Sequence, residues 1–242
     1  MKLIFIRHGD PDYVHDTLTE QGITEAEALI PRMKRIDADF YYVSPLGRAR
    51  RTAEIALSEI GKEPAVLDFL KEFPAELYLP RDPKTRVSYC WDWYPTDWAE
   101  EKIFYDPETF GEHPIMKMTD VKGVYDSVTK SFGKFLEEHG YRKKGHTFEV
   151  LKENHDTLCF FCHLGVECVI LSYLINVSPM VLWHGFAPAP TSVTTVYTEE
   201  REKGIASFRI ASFGDISHLY DKGIEPAFAA RFCECFSDNT RH

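Results

Sequence analysis

The chain has 242 residues, 44% hydrophobic and 27% charged, which is ordinary usage for one α/β domain or a domain with a large insertion. Its 28 Lys and Arg against 38 Asp and Glu give a net charge of −10, which argues against a general binder of nucleic acid or anionic membrane, since both ask for a basic surface. No apolar stretch is long enough to span a bilayer and no secretory h-region opens the chain, so a cytoplasmic protein is expected, with no membrane or nucleic-acid partner.

In chain order, Lys2-Leu3-Ile4-Phe5-Ile6 is a short apolar run of the kind buried on both faces of a parallel sheet. Leu18-Thr19 and Gly22 lead into a helical pattern with Ala26, Leu29, Ile30 and Met33 on one face, which Pro31 is expected to kink or interrupt. Phe40–Val43 reads as a second strand, Ser44–Gly47 as a turn, Arg48–Ile60 as a helix and Ala65–Leu67 as a third strand. Residues 73–145 lack this alternation and are rich in Pro, Asp, Trp and Tyr; they read as an insertion ending in a helix over Val121–His139. Thr147–Leu151 and Thr157–Phe161 flank a polar turn and are expected to pair as a hairpin. Gly165 opens a helix with Val166, Val169, Ile170, Tyr173 and Leu174 on one stripe. Two more strands follow, around Ser192–Thr198 and Ala206–Ala211, then a short helix over Pro226–Phe236.

Three sites along this pattern carry chemistry. Arg7-His8-Gly9 ends the first apolar run, where α/β folds place ligands outside the carboxyl ends of strands. Arginine presents a planar donor fork suited to phosphate oxygens, and a neutral imidazole can act as a nucleophile. Ser44-Pro-Leu-Gly-Arg48-Ala-Arg-Arg-Thr52-Ala53 puts three arginines in the first turn of a helix. The helix dipole disfavours cations there, and a bound anion would reconcile them. Arg48, nearest the strand end, is the one expected in a pocket, with Arg50 and Arg51 solvated or paired. Phe161-Cys162-His163-Leu164-Gly165 repeats the opening logic of strand, histidine and helix. Cys159 and Cys162 have CxxC spacing, but on a strand they face opposite ways, and no second ligand pair follows at zinc-like spacing. No metal is expected.

These residues resemble the histidine phosphatase superfamily, also called phosphoglycerate-mutase-like. Its Arg-His-Gly, Leu-Thr-x-x-Gly, Ser-x-Leu-x-Arg-Ala-x-x-Thr-Ala and His-x-Gly motifs correspond in order to residues 7–9, 18–22, 44–53 and 163–165. Leu70-Lys71-Glu72 is similar to its acid segment and Ser217-His218-Leu219 to its C-terminal motif. The resemblance implies a three-layer α/β/α sandwich with a mostly parallel central sheet, a single domain over 1–242 with 73–145 as an inserted cap, and no cofactor. It implies His8 as nucleophile, Arg7, His8, Arg48 and His163 around a phosphate, and Glu72 as general acid, with Asp10 as the runner-up. His163 would contribute as a cation when protonated, which an ordinary pKa near ~6.5 allows. Asp10, Pro11 and Val14 depart from the usual pattern and remove one expected phosphate donor. The expected activity is hydrolysis of a small-molecule phosphate monoester through a phosphohistidine. The alternatives are a phosphoglycerate-type mutase, although no segment after Glu72 resembles the mutase Glu-Arg-His-Tyr-Gly motif, and a phosphate-binding regulator with little turnover. The aromatics between Tyr78 and Phe110 are expected to form mostly a satellite core, with a few lining a lid.

Overall fold

The apolar runs become the middle of one sheet. The computed structural model describes residues 1–87, 89–227 and 235–237. Its main sheet comprises β1 (Lys2–Arg7), β2 (Phe40–Val43), β3 (Ala65–Val66), β4 (Tyr141–Lys144), β5 (Thr147–Val150), β6 (Thr157–Cys162), β7 (Val193–Glu202) and β8 (Ile205–Asp215). Their order is β3-β2-β6-β1-β7-β8-β5-β4. The strands β3, β2, β6 and β1 run parallel, and the other four extend the sheet antiparallel from β1.

Along β1 and β6 every second side chain enters a different core. Leu3, Phe5, Leu158, Phe160 and Cys162 pack on one face, under α3 (Val121–Glu138), α4 (Leu164–Ile175) and α5 (Pro179–Gly185). Ile4, Ile6, Cys159 and Phe161 pack on the other, under α1 (Glu20–Ile36) and α2 (Gly47–Ala56). The result is the expected three-layer α/β/α sandwich, with the parallel half of its sheet buried on both sides. Each fully buried side chain of this size contributes about 1.5–3 kcal/mol, and Phe160 stacks on Phe5 with ring centroids 5.0 Å apart.

Three expectations are corrected. α1 is not interrupted at Pro31: Thr19 caps its start, accepting from the Gly22 N–H at 3.0 Å, and Pro31 sits on the exposed face. There the carbonyl that loses its intrahelical bond can turn to water. Thr147–Val150 and Thr157–Cys162 do not form a hairpin. The first, open on one side, pairs with β4 and β8 toward the sheet edge, whereas the second, apolar on both faces, lies between β1 and β2. Within residues 73–145, α3 packs into the main core and β4 is the edge strand of the main sheet. The buried aromatics of this segment are not a satellite: Phe73, Trp93, Phe104 and Phe110 join the α3–α4 core. The expected helix over Pro226–Phe236 lies largely outside the described residues. Among those residues no helix is long and apolar enough to cross a membrane.

Candidate active site

Register builds the site. Arg7 pairs with Cys162, and Val43 with Phe161, so the residues that follow β1, β6 and β2 emerge side by side at one end of the sheet. His8 follows β1, His163 is the N-cap of α4, and Ser44 and Arg48 follow β2 on the way into α2. The imidazoles of His8 and His163 lie 5.0 Å apart between ring centroids. Arg7, His8, Arg48 and His163 are all buried.

Hydrogen bonds fix the rings. His8 Nδ1 donates to the Gly9 carbonyl at 2.7 Å, which leaves Nε2 with the lone pair. The His8 main chain is held on both sides, by its N–H to Cys162 O at 3.0 Å and its carbonyl to Thr191 N–H at 3.2 Å. His163 Nε2 meets Ser44 Oγ at 2.8 Å. Burial, then the Arg7 guanidinium, hold His8 well below the ordinary histidine range. Burial, then His8, Arg48 and Arg7, do the same to His163. The expectation of an ordinary His163 pKa is therefore corrected: burial first, then the neighbouring His8, Arg48 and Arg7, disfavour its charged form, and a phosphate dianion beside it would favour that form.

Among the described residues, Arg7 Nε, Arg48 Nε and His163 Nδ1 are buried with no hydrogen-bond partner. An unsatisfied buried polar group costs about 1–3 kcal/mol, and more when charged. Oxygens of a phosphate would satisfy all three. Of the other guanidinium nitrogens, Arg7 Nη1 donates to Pro188 O at 2.6 Å and Arg48 Nη1 to Asp16 Oδ1 at 2.8 Å.

Glu72 follows the helical turn Asp68–Leu70 and reaches the start of α4. Its Oε1 accepts from Phe73 N–H at 2.8 Å and Val166 N–H at 3.1 Å, in the first turn of α4 after His163. Burial raises its pKa, against the pull of those amides and the two arginines. Oε2, which neither amide engages, is the oxygen free to carry a proton. Asp10 is placed differently: its Oδ2 accepts from Thr19 Oγ1 at 2.7 Å and so supports the start of α1. Arg50 is exposed and Arg51 pairs with Glu54 at 2.8 Å, as their sequence positions suggest.

Several contributors have little sequence signal. Asp16, at φ 47°, holds both Arg48 and the Gly47 N–H, the latter at 2.6 Å. Thr52 Oγ1 accepts from Gly9 N–H at 3.0 Å. Thr191 adopts φ 57°, a strained conformation for a β-branched residue, and its Oγ1 meets His218 Nε2 at 3.1 Å. Trp91 and Glu72 crowd Gly165 so closely that a Cβ there would collide with both. Ser44 lies inside a motif already singled out, and only its bond to His163 is new. Cys159 and Cys162 enter opposite cores, so they cannot chelate one ion.

Residues 3–211 match the family profile of the histidine phosphatase superfamily, branch 1. Among curated proteins none matches the chain in sequence. Solved structures similar in fold include a phosphoserine phosphatase from Entamoeba histolytica in complex with phosphoserine, at 20% identity and TM-score 0.57, covering 90% of this chain and 98% of that one. A mycobacterial glucosyl-3-phosphoglycerate phosphatase is 16% identical, with TM-score 0.55 and coverage of 88% and 98%. The α-ribazole phosphatase of Shigella flexneri is 18% identical, with TM-score 0.55 and coverage of 89% and 97%. With its profile match spanning most of its length and its motif residues gathered at one end of the parallel strands, the chain belongs to the histidine phosphatase superfamily.

Proposed function

We propose that this protein is a metal-independent phosphatase that hydrolyses a small-molecule phosphate monoester through a phosphohistidine on His8. The observation that carries the proposal is the grouping of His8, whose Nε2 lone pair is free, with three buried donors of Arg7, Arg48 and His163 that lack protein acceptors. His8 Nε2 attacks phosphorus as the ester P–O bond breaks, and the donors hold the equatorial oxygens. Glu72 gives its proton to the departing alkoxide. Water then attacks phospho-His8 and yields its proton to the Glu72 carboxylate. The N–P bond breaks and phosphate leaves. Within residues 73–145, the segment before α3 supplies the cap over the leaving group, with Trp91 and Glu72 both against Gly165. Phosphatase names among the similar folds agree with this reading, and their different substrates leave the leaving group open.

Turnover of p-nitrophenyl phosphate with saturating EDTA, by the wild-type chain and by His8→Ala, tests the proposal. Hydrolysis that survives EDTA and disappears in His8→Ala, with circular dichroism unchanged, is expected. Hydrolysis that persists in His8→Ala, or needs added metal, would refute it.

A further inference from the structure

Outside the active site, one cavity gathers cations in this acidic chain. This cavity of about 450 Å³ lies between α1, the β1–β7 pair and the helical turn Ser217–Tyr220. Its floor follows from register: Lys2, Ile4, Val193, Thr195 and Tyr197 share one face because Lys2 pairs with Tyr197 and Ile4 with Thr195.

Four cations line the cavity, Lys2, Arg32, Arg35 and Lys222, with the carboxylate of Asp221 in its wall and that of Asp215 paired with Arg32. Arg32 is fixed there by Asp215 Oδ2 at 2.8 Å and Ser217 Oγ at 3.1 Å. Among the described residues, Lys2, Arg35 and Lys222 enter no salt bridge. In a chain of net charge −10, such a gathering of unneutralised cations is a local field of the opposite sign. The guanidinium fork of Arg35 suits phosphate oxygens, with the ammonium groups of Lys2 and Lys222 beside it. The volume leaves room for more than one phosphate group.

The cavity is not an extension of the catalytic pocket, since neither Arg7 nor Arg48 lines it. His218 forms the wall between them: it lines the cavity, and its Nε2 meets Thr191 Oγ1, whose N–H in turn holds the His8 carbonyl.

We propose that this cavity is a second anion site, which binds a small organic diphosphate or polyphosphate separately from the substrate phosphate. Calorimetric titration of the full chain with inorganic pyrophosphate at low ionic strength tests it. Arg35 and Lys222 are exposed, so their replacement leaves the core intact. One binding event should weaken about tenfold for each of Arg35→Ala and Lys222→Ala, the loss expected for one charge-assisted hydrogen bond. That event should be lost in the double variant Arg35→Glu/Lys222→Glu, while p-nitrophenyl phosphate turnover and any event removed by Arg48→Ala stay unchanged. Pyrophosphate binding that is the same in wild type and in the double-Glu variant would overturn the second site. Failure of the phosphatase reading would instead show as absent turnover in the wild-type chain, which the titration does not depend on.

Discussion

Glu72→Gln separates the acid from the rest of the pocket. The carboxamide oxygen can still accept from Phe73 N–H and Val166 N–H, which hold the carboxylate at 2.8 and 3.1 Å, so the side chain keeps its place. Only in the ionised form does the change remove a negative charge near the start of α4, an interaction of about 0.3–1 kcal/mol. Loss of the proton costs far more at the reacting centre. General acids typically contribute roughly 10²–10⁴-fold, or about 2.7–5.4 kcal/mol of barrier. An alkyl phosphate should therefore slow by that factor in Glu72→Gln. An aryl phosphate leaves as a stable anion, and its phosphorylation step should slow much less, which pre-steady-state burst measurements resolve from dephosphorylation. Because burial raises the Glu72 pKa, the acid form persists to higher pH than an ordinary glutamic acid allows. Alkyl phosphate turnover should fall as pH rises through that value, and the variant should lack this limb. Arg48→Ala should damage both substrates alike. If Glu72→Gln leaves alkyl phosphate hydrolysis intact and Asp10→Asn removes it, the assignment of the acid is wrong.

Glu167 is buried on α4 and its Oε1 lacks a partner, with its pKa pushed up to about 7 by burial. The folded state therefore binds a proton that the unfolded state releases above its ordinary value of 4.5, so stability falls as pH rises from about 4.5 to about 7, by on the order of 3 kcal/mol. Glu167→Gln should flatten that dependence and raise Tm at pH 8; an unchanged pH profile of Tm would contradict it. Gly165→Ala puts a Cβ 2.7 Å from Glu72 Oε1 and closer still to the Trp91 ring, so kcat should drop roughly 10²-fold by displacement of the acid, and wild-type kcat would refute this. Phe160→Ala empties a fully buried position stacked on Phe5 and Tyr42 and should cost about 3–5 kcal/mol in urea denaturation; a loss below 1 kcal/mol would mean the core collapses into the space.

What the sequence made legible is what repeats or ends a pattern. Leu3 to Ile6 and Leu158 to Phe161 are apolar on both faces, and that alone identifies central strands and the strand ends where His8 and His163 sit. The same feature hid the neighbour of β6, because a run apolar on both sides carries no mark of its partner, and proximity in sequence favoured Thr147–Leu151. Pro31 misled because its propensity is local, while exposure of that face is decided by packing. Asp16 and Thr191 lie in loops at positive φ, a conformation set by the surrounding chain and absent from any periodicity. The lowered pKa of His163 follows from burial beside His8 and two arginines, a proximity that only the fold creates.

The central claim is that His8 carries the phosphoryl group. Rapid acid-free quench of the wild-type chain with ³²P-labelled substrate, followed by peptide mapping, tests it most directly. The account predicts an acid-labile, base-stable label on the peptide that contains His8, absent in His8→Ala. Label found stably on an aspartate or serine, or turnover with no phosphoryl-enzyme at any time point, would contradict it.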